Sequence, residues 1–281
     1  MNKLMAFVAV LLLLAANQSF AQVSFQGKFE QGSLVRGTVA PGTKVTLNGD
    51  DVRVTPQGQF AIGFEREAKA EQALTLTYPD GLTEIKRLKI ASRDYKIDRV
   101  EGIPKKIMKP NPEAQQRAAK DAKQAREARG QFIESDAFMQ DFIWPVTGRI
   151  SGVYGSQRVY NGKPGNPHFG VDVARPTGTV VVSPADGVIT LSVPDMFYSG
   201  GTMIIDHGYG VSSTFLHLSK LYVQDGEQVK QGQPLAEIGA TGRATGPHLD
   251  WRLNWFQMRL DPVTLVPPMS QVLAAEKAAS Q

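Results

Sequence analysis

Short runs of alternating apolar and polar residues fill the chain between residues 23 and 92. The runs SLVRGTV, KVTLNG, VRVTP and QFAIGF are rich in β-branched and aromatic residues, and turn-forming residues separate them at APGT, NGDD and PQG. ALTLTYPDGLTEIKRLKI adds a hairpin around PDG. Strands at this even spacing predict a small immunoglobulin-like β domain over residues 22–92.

The alternation stops between residues 93 and 143, where Ala, Gln and charged residues dominate. Asn111 suits a helix N-cap and Pro112 suits the first helical position. Residues 93–129 contain 11 basic and 6 acidic side chains. The segment 93–143 is therefore predicted to be a basic helical linker, either a solvated connector or a helix that faces a cell wall or a partner.

Strand-like runs return over residues 144–266, with Gly and Pro at most junctions. The predicted strands lie in GTVVVSPADGVITLSV, TMIIDHG, STFLHLSKL, LAEIGATG and HLDWRL. Residues 267–281 have the composition of a polar, Ala-rich tail. The pattern predicts a mainly β protein with two β domains, as 281 residues also favour.

The first residues have the layout of a secretory signal peptide. Lys3 is basic, Leu4 to Ala16 is an apolar run, and SFA supplies a cleavage site after Ala21. The run is shorter than the roughly 20 residues of a membrane helix, although an uncleaved anchor is the alternative. No later segment is apolar enough to span, so we expect no membrane span after cleavage of residues 1–21.

Charge and cysteine content narrow the expected compartment and partners. The absence of Cys excludes disulfides and a lipid-modified N-terminal cysteine. The formal net charge of +4 suits a polyanionic neighbour, such as a cell wall or membrane surface, without selecting one. We expect an exported protein, in the periplasm, with no nucleic-acid partner.

All four histidines lie in the second β region: His168, His207, His217 and His248. In PHFGVDVA, His168 precedes Asp172 by four residues, and imidazole with carboxylate is a common start of a zinc shell. In HLD, His248 and Asp250 share one face of a predicted strand, because strand side chains alternate. One of them can then bind a metal while the other reaches the metal's water.

PHFGVDVA, FLHLSKL and GPHLDWRL occur in an order and spacing that resemble the lysostaphin-type zinc metallopeptidases, which cut peptidoglycan cross-bridges. The resemblance covers residues 144–266. It implies a C-terminal antiparallel β-sandwich of the duplicated-hybrid-motif type. It also implies one Zn²⁺ ion, hydrolysis of peptidoglycan peptides, and ligand roles for His168 and Asp172. His217 and His248 would assist the water and the developing oxyanion.

The resemblance departs from the family pattern at Asp250, where the family has a histidine ligand. Asp is also a competent zinc ligand, at about 2.0–2.2 Å, so Asp250 is expected to be the third ligand. The extra carboxylate slightly favours harder metals such as Mn²⁺. The alternative is a degenerate member that activates another cell-wall hydrolase or binds an envelope protein, and a plain wall-binding β protein is a third possibility.

The remaining candidates concern substrate contacts. Arg158, Tyr160 and Asn166 precede His168 and are predicted to line the substrate groove, although Arg158 also suits a structural ion pair. His207 is expected to be a structural residue at a turn or strand edge.

Overall fold

The computed structural model describes residues 23–102 and 111–280, so the predicted signal peptide lies outside the described residues. The prediction of a mainly β protein is confirmed. An N-terminal β domain and a larger C-terminal β domain account for most of the described residues. No helix among them is long and apolar enough to cross a membrane.

The N-terminal domain contains two antiparallel sheets that enclose one apolar core. One sheet has the order β1-β2-β5, and the other has the order β4-β3-β6-β7. Their strands are β1 (Ser24–Gln26), β2 (Leu34–Thr38), β3 (Lys44–Leu47), β4 (Asp50–Val52), β5 (Gln59–Gly63), β6 (Glu71–Thr77) and β7 (Thr83–Lys89). Alternation along β6 buries Leu74 and Leu76 against Phe60 and their other core neighbours.

The predicted linker spans residues 93–143, and its described part, residues 93–102 and 111–143, is only partly helical. Its helix is α1 (Pro112–Arg129), and the Asn111 side chain accepts a hydrogen bond from the Ala114 amide, as expected of an N-cap. Before α1, strand β8 (Ile97–Val100) pairs with the C-terminal domain. After α1, Phe138 and Phe142 are buried in the C-terminal core, because aromatic rings gain more from burial than from exposure.

The C-terminal domain is built around a ten-stranded sheet whose main path is β17-β14-β15-β16-β19-β12-β9. Strands β13 and β18 pair with each other, β18 also pairs with β16, and β20 pairs with β19. The strands are β9 (Arg149–Gly152), β12 (Val171–Ala174), β13 (Val180–Val182), β14 (Gly187–Met196), β15 (Gly200–Gly208), β16 (Val211–Leu221), β17 (Gln228–Val229), β18 (Pro234–Ile238), β19 (His248–Trp255) and β20 (Met258–Leu260).

A separate three-stranded sheet stands beside the main one. It consists of β10 (Gln157–Tyr160), β11 (Lys163–Pro164) and β8, in the order β11-β10-β8. The pairing of β8 with β10 is parallel and joins Ile97 to Gln157 and Val100 to Tyr160. The chain that leaves the N-terminal domain therefore completes a sheet of the C-terminal half.

The two faces of the main sheet differ in chemistry. On β19, Leu249, Trp251 and Leu253 enter the apolar core, so the intervening residues face the opposite side. Helix α1 packs on β14 and β15, where Ala128 meets Met196 and Ile204. We call the side of the sheet opposite the apolar core the groove face.

The last residues are helical instead of forming only a polar tail. A 3₁₀ turn at Pro262–Leu265 leads to α2 (Met269–Ala279). Met269 and Val272 pack against the C-terminal core, which gives the helix an apolar contact. The Trp144 indole N–H donates to the Pro267 carbonyl at 2.8 Å and fixes the chain before α2.

Candidate active site

The candidate metal ligands come from two adjacent strands of the groove face. Asp172 on β12 and Asp250 on β19 are register partners, and His168 lies just before β12. Gly170 makes this approach possible, because a Cβ atom there would lie 2.4 Å from Oδ1 of Asp250. Gly152 has the same role, since its Cβ would lie 2.1 Å from Oδ2 of Asp172.

His168, Asp172 and Asp250 each offer a ligand atom, and these atoms lie within 4.8 Å of one another. Nε2 of His168 and Oδ1 of Asp172 are 3.1 Å apart, yet both are buried atoms without a well-formed hydrogen bond. Ligand atoms of a tetrahedral zinc ion lie roughly 3.4 Å apart. The two unpartnered atoms therefore fit a divalent metal with only small movements of the side chains.

The charge around His168 also suits a bound cation. Burial by itself lowers the pKa of His168, but the Asp172 and Asp250 carboxylates outweigh it and raise the pKa above its usual value. A proton on His168 then partly neutralises the two carboxylates. A divalent cation held by the same three side chains would take over that role.

Arg252 is a component of the site that the sequence reasoning missed. Its Nη2 lies 2.6 Å from Oδ2 of Asp250, and its Nε lies 3.0 Å and 3.1 Å from the two carboxylate oxygens. Burial raises the pKa of Asp250, but Arg252 outweighs burial and lowers it, so Asp250 is ionised. A carboxylate has about four lone-pair sites, so Asp250 can bind Arg252 and still offer one to a metal.

His217 and His248 lie side by side, with ring centroids 4.8 Å apart. Nδ1 of His217 lies 2.9 Å from the Thr241 carbonyl, and Nδ1 of His248 lies 2.8 Å from the Gly246 carbonyl. Because a carbonyl accepts, each Nδ1 carries the proton and each Nε2 is left for other partners. Nε2 of His248 lies 3.9 Å from Oδ1 of Asp172, next to the candidate ligands.

His217 occupies an unusual backbone position. Its φ of 66° lies in the left-handed region, which non-glycine residues seldom adopt. Strand β16 pairs with β19 up to Leu216 and with β18 from Leu218 onward, so His217 stands where the strand changes partner. Burial lowers its pKa, which keeps its imidazole neutral near pH 7.

A cavity of about 690 Å³ opens next to the candidate ligands. The three predicted substrate contacts, Arg158, Tyr160 and Asn166, line it together with His168 and Asp172. The sheet β11-β10-β8 forms one wall of the cavity. Lys96 and Asp98 also line the cavity, and the sequence pattern did not identify them. The groove is therefore contributed by segments on both sides of α1.

His207 lies away from this cluster and is fully buried. Its Nδ1 lies 2.7 Å from the Asp186 carbonyl, and its Nε2 lies 2.9 Å from the Ser213 hydroxyl. The Phe142 ring packs on it at a centroid distance of 4.9 Å. These contacts agree with the expected structural role.

Comparison with known proteins points to one family. Residues 166–262 match the family model described as Peptidase family M23. The peptidoglycan DD-endopeptidase ShyA of Vibrio cholerae is 36% identical over 124 residues, which are 41% of this chain and 29% of that protein. The DD-carboxypeptidase/endopeptidase Mpg of Neisseria meningitidis serogroup B is 38% identical over 112 residues, 40% of this chain and 26% of that protein.

The match extends further in a solved structure, a putative peptidase M23 from Pseudomonas aeruginosa. Its TM-score is 0.66 at 28% identity, and the match covers 85% of this chain and 95% of that chain. The region shared with the two curated relatives is less than a third of their length. The family-model match lies within the C-terminal domain, whereas the likeness in fold reaches beyond it.

Proposed function

We propose that this chain, which carries a peptidase family M23 domain, is an exported zinc-dependent endopeptidase that hydrolyses the cross-linking peptides of peptidoglycan. The observation that carries the proposal is the pair of buried, unpartnered ligand atoms on His168 and Asp172, next to the Asp250 carboxylate. The names of the curated relatives support peptidoglycan as the substrate. The predicted signal peptide supports export to the periplasm.

His168, Asp172 and Asp250 would hold the metal through one nitrogen and two oxygens. Zinc suits this donor set, and Mn²⁺ is the second candidate because two of the three ligands are carboxylates. When bound, the ion would lower the pKa of a water molecule and polarise the scissile carbonyl. The Arg252 guanidinium offsets the charge of one carboxylate, so the site as a whole stays more electropositive than its ligands alone imply.

We assign the proton transfers to His217 and the stabilisation of the oxyanion to His248. A neutral imidazole can accept a proton, so the lowered pKa of His217 supports its role as general base. His217 would take a proton from the attacking water and return it to the leaving amine. Nε2 of His248 would donate a hydrogen bond to the developing oxyanion when its ring is protonated.

The cavity beside the ligands would hold the peptide. Arg158, Tyr160 and Asn166 line it and offer hydrogen bonds to an extended chain. Arg158 lies on β10, whose pairing with β8 stiffens this wall. We therefore propose these three residues as substrate contacts.

The Arg252–Asp250 ion pair also favours a second candidate function. Both Asp250 oxygens already receive hydrogen bonds from Arg252, so the pair can stand in for a missing metal and ligand. In that case the groove would bind wall peptide without cutting it. The protein would then act by stimulating another cell-wall hydrolase.

Metal content and cleavage separate the two functions. We expect the purified mature protein to contain about one zinc ion per chain and to release new amino termini from purified peptidoglycan. We expect Asp250→Ala to lose most metal affinity, because two protein ligands would remain. Asp98→Ala, which changes a carboxylate in the same cavity, is the control and should keep its metal.

Other results of the same experiments would contradict the proposal. A protein without metal that cleaves nothing, and that stimulates a second wall hydrolase, would contradict the enzyme proposal and support the activator. An Asp250→Ala protein that binds zinc as tightly as the parent would show that Asp250 is not a ligand.

A further inference from the structure

A second cavity, of about 550 Å³, lies between helix α1 and the groove face. Arg126 and Arg129 line it from the helix, and Arg252 and Arg259 line it from the sheet. We call it the arginine cavity. Four guanidinium groups, from helix α1 and strands β19 and β20, thus surround one space.

The positive charge of the arginine cavity is poorly compensated. Burial and, after it, the nearby charges of Arg259, Arg252 and Arg126 together lower the pKa of Arg129 to about 10. Within residues 23–102 and 111–280, neither Arg126, Arg129 nor Arg259 forms an ion pair with a carboxylate. Asp121, the carboxylate that lines the cavity, accepts a hydrogen bond from the Phe197 amide.

Two neutral side chains in the arginine cavity lack hydrogen-bond partners. Thr214 is 4% exposed and Asn254 is 3% exposed. The Thr214 hydroxyl and the Asn254 amide nitrogen are buried without a partner, and both residues line this cavity. A buried amide N–H₂ without an acceptor is destabilising, so its presence favours a ligand that accepts hydrogen bonds.

The arginine cavity adjoins the candidate metal site. Asn166 and Arg252 line both this cavity and the cavity next to His168 and Asp172. Arg252 also contacts the candidate ligand Asp250 directly. A molecule bound next to the metal ligands can therefore extend past Asn166 and Arg252 into the arginine cavity.

We propose that the arginine cavity binds a free carboxylate of the substrate peptide, and so selects acidic peptides. Guanidinium groups recognise carboxylates through paired, charge-assisted hydrogen bonds, and the Thr214 and Asn254 donors supply further ones. This inference rests on the proposed function because it assigns the same groove a peptide. Inorganic phosphate shares the anionic chemistry and is the competing ligand that an experiment must separate.

A cleaved stem peptide of peptidoglycan is a suitable probe because it binds without turnover. We expect calorimetry on the full mature protein to give at least 10-fold tighter binding of the stem peptide than of the same peptide with its carboxylates amidated. Arg129→Gln and Arg259→Gln should each weaken binding of the free acid by about 10- to 100-fold. Both should leave binding of the amidated peptide almost unchanged.

Arg117→Gln is the matched control on the same helix. Arg117 is exposed, pairs with Asp195 at 2.6 Å and does not line the arginine cavity. We expect this variant to bind both peptides like the parent. Arg129→Lys keeps a charge at the position and should retain part of the affinity, which separates loss of charge from a displaced helix.

Several results would overturn the inference. They are equal affinity for the acid and the amide, equal losses in Arg117→Gln and Arg129→Gln, or saturation by inorganic phosphate at concentrations that leave peptide binding unaffected. If Arg129→Gln lowers the melting temperature, Arg259→Gln on β20 tests the same cavity from the sheet side. A protein that binds the acid selectively and cleaves nothing would contradict the proposed endopeptidase and leave this inference standing.

Discussion

The N-terminal and C-terminal domains are both antiparallel β structures, but they bury very different side chains. In the N-terminal domain the buried residues are mostly apolar, and the buried charged one, Arg36, donates to the Met139 carbonyl at 3.0 Å. In the C-terminal domain the groove face buries polar and charged groups, among them Asp250, Asn254 and His217. Burial of apolar side chains stabilises the N-terminal domain. The C-terminal domain also buries polar and charged groups that water would otherwise stabilise.

The difference locates the chemistry of the molecule. Burying a polar group costs free energy unless it is paired, so unpaired buried groups are expected at functional sites. His168, Asp172, Thr214 and Asn254 have such atoms on or next to the groove face. Ser33, Arg36 and Thr43 of the N-terminal domain have them too, but among the described residues only the groove face includes a histidine and a carboxylate that can bind a metal. This contrast can be tested by substitutions that affect one domain without the other.

The largest effect is expected at a candidate metal ligand. Asp172→Asn should lower the rate of peptidoglycan cleavage by at least about 10³-fold, because the amide is a much weaker ligand and the shell loses a charge. The measurement is kcat/KM together with zinc content. Asp51→Asn in the N-terminal domain should change neither, and full activity in Asp172→Asn would contradict the proposed ligand set.

A substitution in the N-terminal core should lower stability and leave zinc binding unchanged. Phe60 is fully buried in the N-terminal core, so Phe60→Ala should lower the free energy of unfolding by about 3–5 kcal/mol. Zinc content below the unfolding transition should stay at the parent's level. Leu82→Ala, at an exposed turn, is the control and should lie within about 0.5 kcal/mol of the parent.

Asp206 and His207 predict a pH effect confined to the C-terminal domain. Burial raises the pKa of Asp206 to about 6, so its contribution to stability falls as pH rises from about 4 to 6. Burial lowers the pKa of His207 to about 4, so its contribution falls as pH drops below its usual pKa of 6.5. The two effects on the free energy of unfolding run in opposite directions with pH. Each changes it by about 3 kcal/mol over its titration range.

Asp206→Asn removes the pH dependence of stability that Asp206 contributes and leaves the one that His207 contributes. We expect the variant to lose about 3 kcal/mol more stability than the parent between pH 7 and pH 4. Denaturant unfolding at several pH values measures this. Parallel curves for variant and parent would show that the two groups do not titrate as inferred.

The smallest effect is expected at the two histidines that we propose to act without binding the metal. His217→Ala and His248→Ala should each lower kcat by about 10²-fold or more while zinc content is unchanged. Loss of zinc from either folded variant would move that residue into the ligand set. His207→Ala is unsuitable as a control because its ring is part of the core.

The sequence predicted which side chains share the groove face because strand alternation is a local rule. It placed His248 and Asp250 on one face of β19, and the structure puts Leu249 and Trp251 in the core on the other. The proximity of His168 to Asp250 followed from the family resemblance. The same alternation also puts Arg252 on the face of Asp250, but it does not reveal which partner a side chain will find.

Other features depend on contacts between distant segments, and no local pattern indicates them. Strand β8 pairs with β10 across about 60 residues, so residues 93–143 looked like a continuous linker. The arginine cavity likewise joins α1 to β20. Sequence spacing cannot predict this cavity, because it depends on how α1 packs onto the sheet.

The parallel pairing of β8 with β10 has a consequence for how this protein can be divided. A fragment that starts after α1 would keep His168, Asp172 and Asp250, yet it would leave β10 and β11 as an isolated two-stranded ribbon. Such ribbons are marginally stable in water. The unit that keeps the groove wall intact is therefore larger than the family match at residues 166–262, and its boundary lies before Ile97.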